Sequence, residues 1–363
     1  MANRRILARL ISATGEPLAA LAFTTAVVAL ALFALGASPW ATFIALASGA
    51  FGNWLAATDT LVKTTPLVFT GLAVSVAFSG SLWNIGAEGQ LLAGALAAAA
   101  CGIHLAHWPH PLAIATVLGA GAMAGAVWGA LSGWLRARYQ VNDVISTIML
   151  NYIAMQLVSW AVHGPLMEAA RSYPASQPLP PAACLYRYLP PSRLNAGMVL
   201  AVSLAPACYV WLFHTNSGFE LRALGKNQRA AAFFAIPVAR VTVGAMALSG
   251  ALAGLGGAVQ LSAITHRLFE RFSPGWGYEA IAVALVARLN PLAVLPSALF
   301  FGALDNGAQA IQRAQGVSPV LVQATQGLVI FVLLAFDTPA LQKWRRGAPA
   351  PAAEELAGGR ADA

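Results

Sequence analysis

The stretch SGSLWNIGAEGQLLAGALAAAA, residues 79–100, decides how the chain is read. The run before it, TPLVFTGLAVSVAF, is apolar enough to span a bilayer, and the stretch that follows, LLAGALAAAA, is mostly alanine, leucine and glycine. Between these stand Asn84, Glu88 and Gln90, punctuated by Gly86 and Gly89. A carboxylate at membrane depth is costly unless it is paired or wet, so it ordinarily faces a bundle interior or a pathway. Backbone freed by glycines is tolerated there only where protein or a water-filled cavity satisfies it. Asn84 and Glu88 are therefore candidates for a substrate pathway at a broken helix. The competing reading is a short hairpin between two helices, with Glu88 a favourable charge at a helix N-terminus.

The rest of the chain fits a membrane setting. Of its 363 residues, 58% are hydrophobic and 9% charged, against about 25% charged in an average soluble domain. An apolar run of about 20 residues crosses the hydrocarbon core. About ten segments qualify, some of them broken: 18–36, 61–79, 89–107, 112–135, 142–162, 196–214, 241–263, 278–289, 291–312 and 319–336. The expected fold is an all-α polytopic membrane helix bundle with broken helices. Residues 278–289 are too short to span unaided, and residues 40–57 could lie along the outer surface.

Short cytoplasmic loops hold an excess of Lys and Arg. With the N-terminus inside, Arg136, Arg138, Arg222, Lys226, Arg229 and Arg288 fall on inner segments, whereas Lys63, Arg187, Arg193 and Arg267 fall outside. Both termini are expected inside, and the net charge of +8 reads as topology; no clustered basic face suggests nucleic acid. MANRRILARL precedes an apolar run with no small-residue cleavage site close behind, so a retained anchor helix is expected within residues 1–60, ahead of a core over 61–338. Residues 339–363, rich in Ala, Pro and Gly, read as a disordered cytoplasmic tail.

Two hydrophilic segments interrupt the membrane part. Residues 163–195 are proline-rich and outer, a cap or a connector; residues 215–240, TNSGFELRALGKNQRAAAFFAIPVAR, form the longest inner loop, with a helical alanine-rich middle. A faint internal echo joins the halves. RARYQVNDV and IQRAQGVSPV each place Arg, a residue apart Gln, and then Val before a membrane helix, yet Arg138 is inner and Arg313 outer. Each half also has a glycine-broken segment, near Gly86 and Gly275, which is the pattern of an inverted-repeat core with a substrate site at discontinuous helices.

Other constellations are weaker. Asp305 and Asn306 in FFGALDNGAQAIQ are candidates for the same pathway, or for a hydrogen bond across a glycine-lined helix contact. His104, His107 and His110 are spaced for a metal, but Trp108 and Pro109 mark a helix end at the interface. GFELRALGKN lacks the phosphate-loop pattern, because Glu220 and Asn227 stand where Gly and Ser or Thr are needed. Cys101, Cys184 and Cys208 suggest neither a disulfide framework nor a metal site. No catalytic motif is visible.

PLVFTGLAVSVAFSGSLWNIGAEGQLLAGA, VNDVISTIMLNYIA, LGKNQRAAAFFAIPVARV with LSGALAGLGGAV, and GYEAIAVALVARLNPL together resemble the membrane permeases of bacterial ABC importers in the branched-chain amino acid and simple sugar group. Within it the nucleoside and simple sugar permeases are most similar. The resemblance runs from about residue 61 to 336. It implies an inverted-repeat core and import of a nucleoside or simple sugar across a bacterial inner membrane by alternating access. Its partners would be two cytoplasmic ATP-binding subunits, a second permease, expected to be a different paralogue, and an outer substrate-binding protein. ATP would be used by the partner subunit, with no cofactor in this chain. Gly225, Asn227, Gln228, Ala231, Ala232 and Ile236 match the family's ATPase-coupling loop. Trp83 stands where the family commonly has phenylalanine, and so keeps an aromatic face for a sugar or base beside the pathway residues Asn84, Glu88, Gln90, Asp305 and Asn306. The alternative is a self-sufficient secondary transporter of a small polar solute, coupled to ions through Glu88 and Asp305.

Overall fold

The computed structural model describes residues 38–171 and 173–315, with isolated positions 26, 29, 30 and 327. Contacts gather Ala45–Gln315 into one compact unit. The expected spans 18–36 and 319–336 and the tail 339–363 lie outside the described residues, apart from those isolated positions.

In chain order the helices are α1 Pro39–Phe51, α2 Trp54–Ser79, α3 Ala87–Gly102, α4 His110–Tyr139, α5 Asp143–His163, α6 Ala196–His214, α7 Asn216–Lys226, α8 Gln228–Phe233, α9 Val238–Gln260 with a π-turn Leu261–Thr265, α10 Trp276–Val286 and α11 Pro291–Gln315. Among the described residues five helices are long and apolar enough to cross a membrane: α2, α4, α5, α6 and α9 with its π-turn. α3 and α10 are the shorter pieces that the glycine breaks foreshadow. With 11 residues, α10 reaches about 16 Å, half of a bilayer core.

α2 is the central helix. Of its most apolar window 83% is buried, against 28% for α4 and for α6, whose remaining faces are apolar and suited to lipid. α2 is threonine-rich, and Thr64, Thr65 and Thr70 donate their hydroxyls to carbonyls four residues back at 2.8–3.0 Å. That back-bonding lets polar side chains sit inside an apolar bundle.

α3, α4 and α9 meet along a seam of glycines. Gly121, Gly125, Gly129 and Gly133 recur every fourth residue on α4, so they share one face. They lie against Met246, Gly250 and Gly254 of α9, and Gly94 of α3 touches Gly254. A Cβ on Gly125 would stand 2.1 Å from the Gly250 carbonyl oxygen, closer than any real contact. Small residues let backbones approach this closely where there is no hydrophobic drive between helices.

α1 runs into α2 through a bend at Gly52 and Asn53, and Asn53 caps α2 by accepting from Ala56 N at 2.7 Å. Buried Asn306 of α11 holds this bend from the other side. Its amide donates to Gly49 O (3.1 Å), Ala56 O (2.9 Å) and Thr60 Oγ1 (3.0 Å). Asn306→Leu leaves two carbonyls short of a donor, so a loss of about 1–3 kcal/mol is expected. A thermal melt of the purified protein matching wild type would show that the bend does not depend on this side chain.

Residues 163–171 and 173–195 form an ordered cap. Ser176 N donates to Leu268 O (2.7 Å), Leu179 N to His266 O (2.8 Å) and Leu185 N to Ser262 O (2.9 Å), and Arg267 pairs with Glu168. Arg187 Nη2 lies 2.9 Å from His266 Nε2. Burial, with Arg187 adding to it, holds the His266 imidazole below its usual pKa, so the neutral ring accepts this bond.

Candidate functional site

The linker from Ser79 to Ala87 is neither helix nor disordered chain. Gly80 ends α2, Ser81 takes a left-handed φ of 54°, and Asn84 folds the remainder around its side chain. Asn84 Oδ1 accepts from Gly86 N (2.9 Å) and from Gln90 Nε2 (3.1 Å). Its Nδ2 donates to Gln90 Oε1 (2.9 Å) and to Ser249 Oγ (2.8 Å). Ser249 in turn donates to Ala73 O at 2.6 Å. Asn84, Gln90 and Ser249 are thus a closed, buried knot tying α2, α3 and α9 together.

Glu88, 1% exposed, joins the two half-helices. Its Oε2 accepts from Gly277 N at 2.7 Å. Both residues lie in the first turns of their helices, so the positive ends of α3 and α10 converge on one carboxylate. The approach is close: a Cβ on Gly277 would stand 2.1 Å from Glu88 N. Asn151 of α5 completes the junction, accepting from Gly89 N (2.8 Å) and donating to Ile85 O (2.9 Å) and Tyr278 Oη (3.3 Å).

Asp305 faces elsewhere on the bundle, with Lys63 Nζ 2.9 Å from its carboxylate and 3.2 Å from its carbonyl. Half-buried Glu279 stands in the first turn of α10. Lys63 and Asp305 form the one ion pair recorded in this group among the described residues. Neighbouring Asn306 lies in the α1–α2 bracket described above. Trp83 is 54% exposed and turns the other way. It lines a cleft with Arg136, Asp143 and Gln228, its backbone N–H donating to Asp143 Oδ2 at 3.3 Å, while Arg136 pairs with the same carboxylate. The candidate pathway residues therefore fall into a buried junction, a charged group around Lys63, a bend clamp and a cleft tryptophan.

The candidate coupling segment has two faces. Asn227 ends α7 and caps α8, accepting from Ala230 N at 3.0 Å. Gly225 packs on the end of α2, where Ser81 Oγ donates to Gly225 O at 2.8 Å, and a Cβ there would meet Ser79 O at 2.4 Å. Ala231 is 3% exposed and faces the bundle, and Ile236 N donates to its carbonyl at 3.1 Å. Gln228 and Ala232 point outward. Beside them Phe233 and Phe234 are 86% and 76% exposed, their rings 5.7 Å apart and nearly perpendicular. An exposed phenylalanine pair on a short capped helix is shaped for a protein contact.

Sequence reasoning missed Lys63, Asn151, Ser249 and Glu279. Asn151 carried the same signal as Asn84, an amide within an apolar run; Lys63, Ser249 and Glu279 acquire meaning only from their partners across the fold. His104, His107 and His110 are all exposed, His110 is bonded to Cys184 O at 3.0 Å, and among the described residues no three candidate ligands gather around a metal position.

Comparison with known proteins bears on this geometry. Residues 56–336 match the family described as the permease component of the branched-chain amino acid transport system. The chain is 33% identical over 335 residues to a glucose ABC transporter permease of Haloferax volcanii, covering 90% of this chain and 88% of the relative. It is 33% identical over 327 residues to a guanosine ABC transporter permease of Bacillus subtilis, covering 86% and 91%. A nucleoside ABC transporter permease of Lactococcus lactis is 30% identical over 326 residues, covering 87% and 89%.

Proposed function

Because this chain belongs to the family of branched-chain amino acid transport system permease components, a multi-pass transport subunit and not an enzyme, we propose that it carries a nucleoside or simple sugar inward through an ABC importer of an inner membrane. The family works with ATP-binding subunits and a substrate-binding protein, and its relatives are ABC permeases, which disfavours the ion-coupled alternative. The observation that carries the reading is the meeting of two half-helix N-termini, α3 and α10, at Glu88. A junction of this kind can rock as a unit while the bundle on either side opens in turn.

In this reading the core is 61–338, Glu279 and Asp305 with Lys63 face the solute, and Asn84, Glu88 and Gln90 hold the junction beside it. Gly225 and Ala231 anchor the coupling segment, which Gln228, Ala232 and the two phenylalanines present to the ATPase. The second permease is a different paralogue. Both termini are assigned to the cytoplasm by the excess of Lys and Arg on the segments counted as inner, among them Arg136, Arg222, Lys226 and Arg288.

Orientation is tested by impermeant thiol labelling in intact cells, in a background without the native cysteines. Tyr186 is 65% exposed on the cap, so Tyr186→Cys should label, and Gln228→Cys should label only after permeabilisation. The reverse result would invert the topology. Cargo is tested by uptake of labelled guanosine and glucose into vesicles holding the complete transporter. Saturable accumulation of one, competed by its own class, is expected; accumulation of neither, alongside uptake of a charged amino acid, would overturn the cargo assignment.

A further inference from the structure

The coupling end of the bundle holds a cavity of about 800 Å3, part of whose wall is the coupling segment itself. Phe78, Phe213, Phe219 and Phe234 form its apolar walls, Arg222, Lys226 and Arg288 line it, and no Asp or Glu is among the lining residues. The cations come from separate places: Arg222 and Lys226 from α7, Arg288 from the turn after α10, where it adopts a left-handed φ of 50°. Arg222 lies with its guanidinium carbon 5.0 Å from the Phe213 ring centroid, and its Nε is buried with no hydrogen-bond partner. A buried donor without an acceptor is costly.

The groove also continues onto a face suited to lipid. Val199, Val202, Val210 and Phe213 of α6 are exposed, and their spacing places them on one side of the helix. That stripe ends at Phe213, on the cavity wall. An occupant must therefore present an anionic head to three cations and an apolar chain to the phenylalanines and the stripe above them. We propose that the cavity binds an anionic phospholipid of the cytoplasmic leaflet, with its phosphate between Arg222, Lys226 and Arg288 and one acyl chain along α6. The leaflet, though not the binding itself, rests on the orientation proposed above. Basic pockets at the cytoplasmic ends of membrane helices hold anionic head groups in this way. The lipid would lie directly under α8, because Ala230, Ala231 and Phe234 also line the cavity, and so would brace the coupling segment.

The test is native mass spectrometry of the purified transporter with its partner subunits, offered equal amounts of phosphatidylglycerol and phosphatidylcholine with the same acyl chains. Wild type should retain phosphatidylglycerol preferentially. Arg222→Gln with Arg288→Gln should reduce that retention by about fivefold per charge removed, leaving phosphatidylcholine retention unchanged, while Arg240→Gln, outside the cavity, should leave the preference intact. If the double variant fails to fold, Arg222→Lys should keep the preference and Arg222→Gln should lower it. Equal retention of the two lipids would overturn the proposal, as would a preference that survives loss of the arginines. Displacement of the lipid by an equal concentration of glycerol 3-phosphate would assign the cavity to a soluble anion instead. Because retention is measured without reference to transport or sidedness, a failed cargo or labelling experiment does not mimic either outcome.

Discussion

Gly125→Ala should abolish most of the folded permease, whereas Gly119→Ala on the same helix should leave yield and thermal stability at or above wild type. Both substitutions add one methyl and the same gain in helix propensity, up to about 1 kcal/mol. They differ only in what the methyl meets. At Gly125 it would stand 2.1 Å from the Gly250 carbonyl and 2.8 Å from Gly254 Cα, and at Gly119 it meets nothing within 4 Å. Rigid backbone on both sides leaves no side chain to move aside, so α4 and α9 must separate along the whole seam. The cost should exceed the roughly 1–3 kcal/mol typical of overpacked cores. Size-exclusion profiles and melting of the two variants compare them directly; equal behaviour would show that the seam is not what holds the bundle together.

The second large effect is expected at the coupling segment. Phe233→Asp combined with Phe234→Asp should leave the permease folded, since both rings are more than three-quarters exposed in this chain. It should also abolish copurification of the ATP-binding subunit, or uncouple its hydrolysis from uptake, because each change places a charge in an apolar contact. Ala231→Asp is a poorer probe. Its methyl is buried against the permease itself, and the variant would confound docking with folding. A double phenylalanine variant that copurifies and transports normally would place the contact elsewhere.

The membrane class, the long helices and the two breaks were legible because each rests on a local pattern. α4, α5 and α6 begin or end within a few residues of the apolar runs that announce them, and α3 and α10 follow Gly86 and Gly275. Segment 163–195 could be read as cap or connector, since its bonds to Ser262, His266 and Leu268 join residues about 70 to 100 positions apart. The site was legible as residue types but not as roles. Asn84 and Asn306 look alike in sequence, each an amide in an apolar run. One closes a knot with Gln90 and Ser249, and the other clamps the α1–α2 bend. Only partners distant in sequence distinguish them. Trp83 adjoins Asn84 in the chain, yet it lines an open cleft while Asn84 is fully buried.

The central claim is that this chain moves its solute only when driven through the 225–236 segment by a separate ATPase. The most direct measurement is solute accumulation in vesicles that contain the permease pair and binding protein, with and without the ATP-binding subunits. The expected result is accumulation that requires those subunits and ATP, ignores imposed proton or sodium gradients, and disappears in the Phe233→Asp, Phe234→Asp variant. Accumulation without the ATP-binding subunits, driven by an ion gradient and lost on replacing Glu279 or Asp305, would contradict it and establish an ion-coupled transporter in its place.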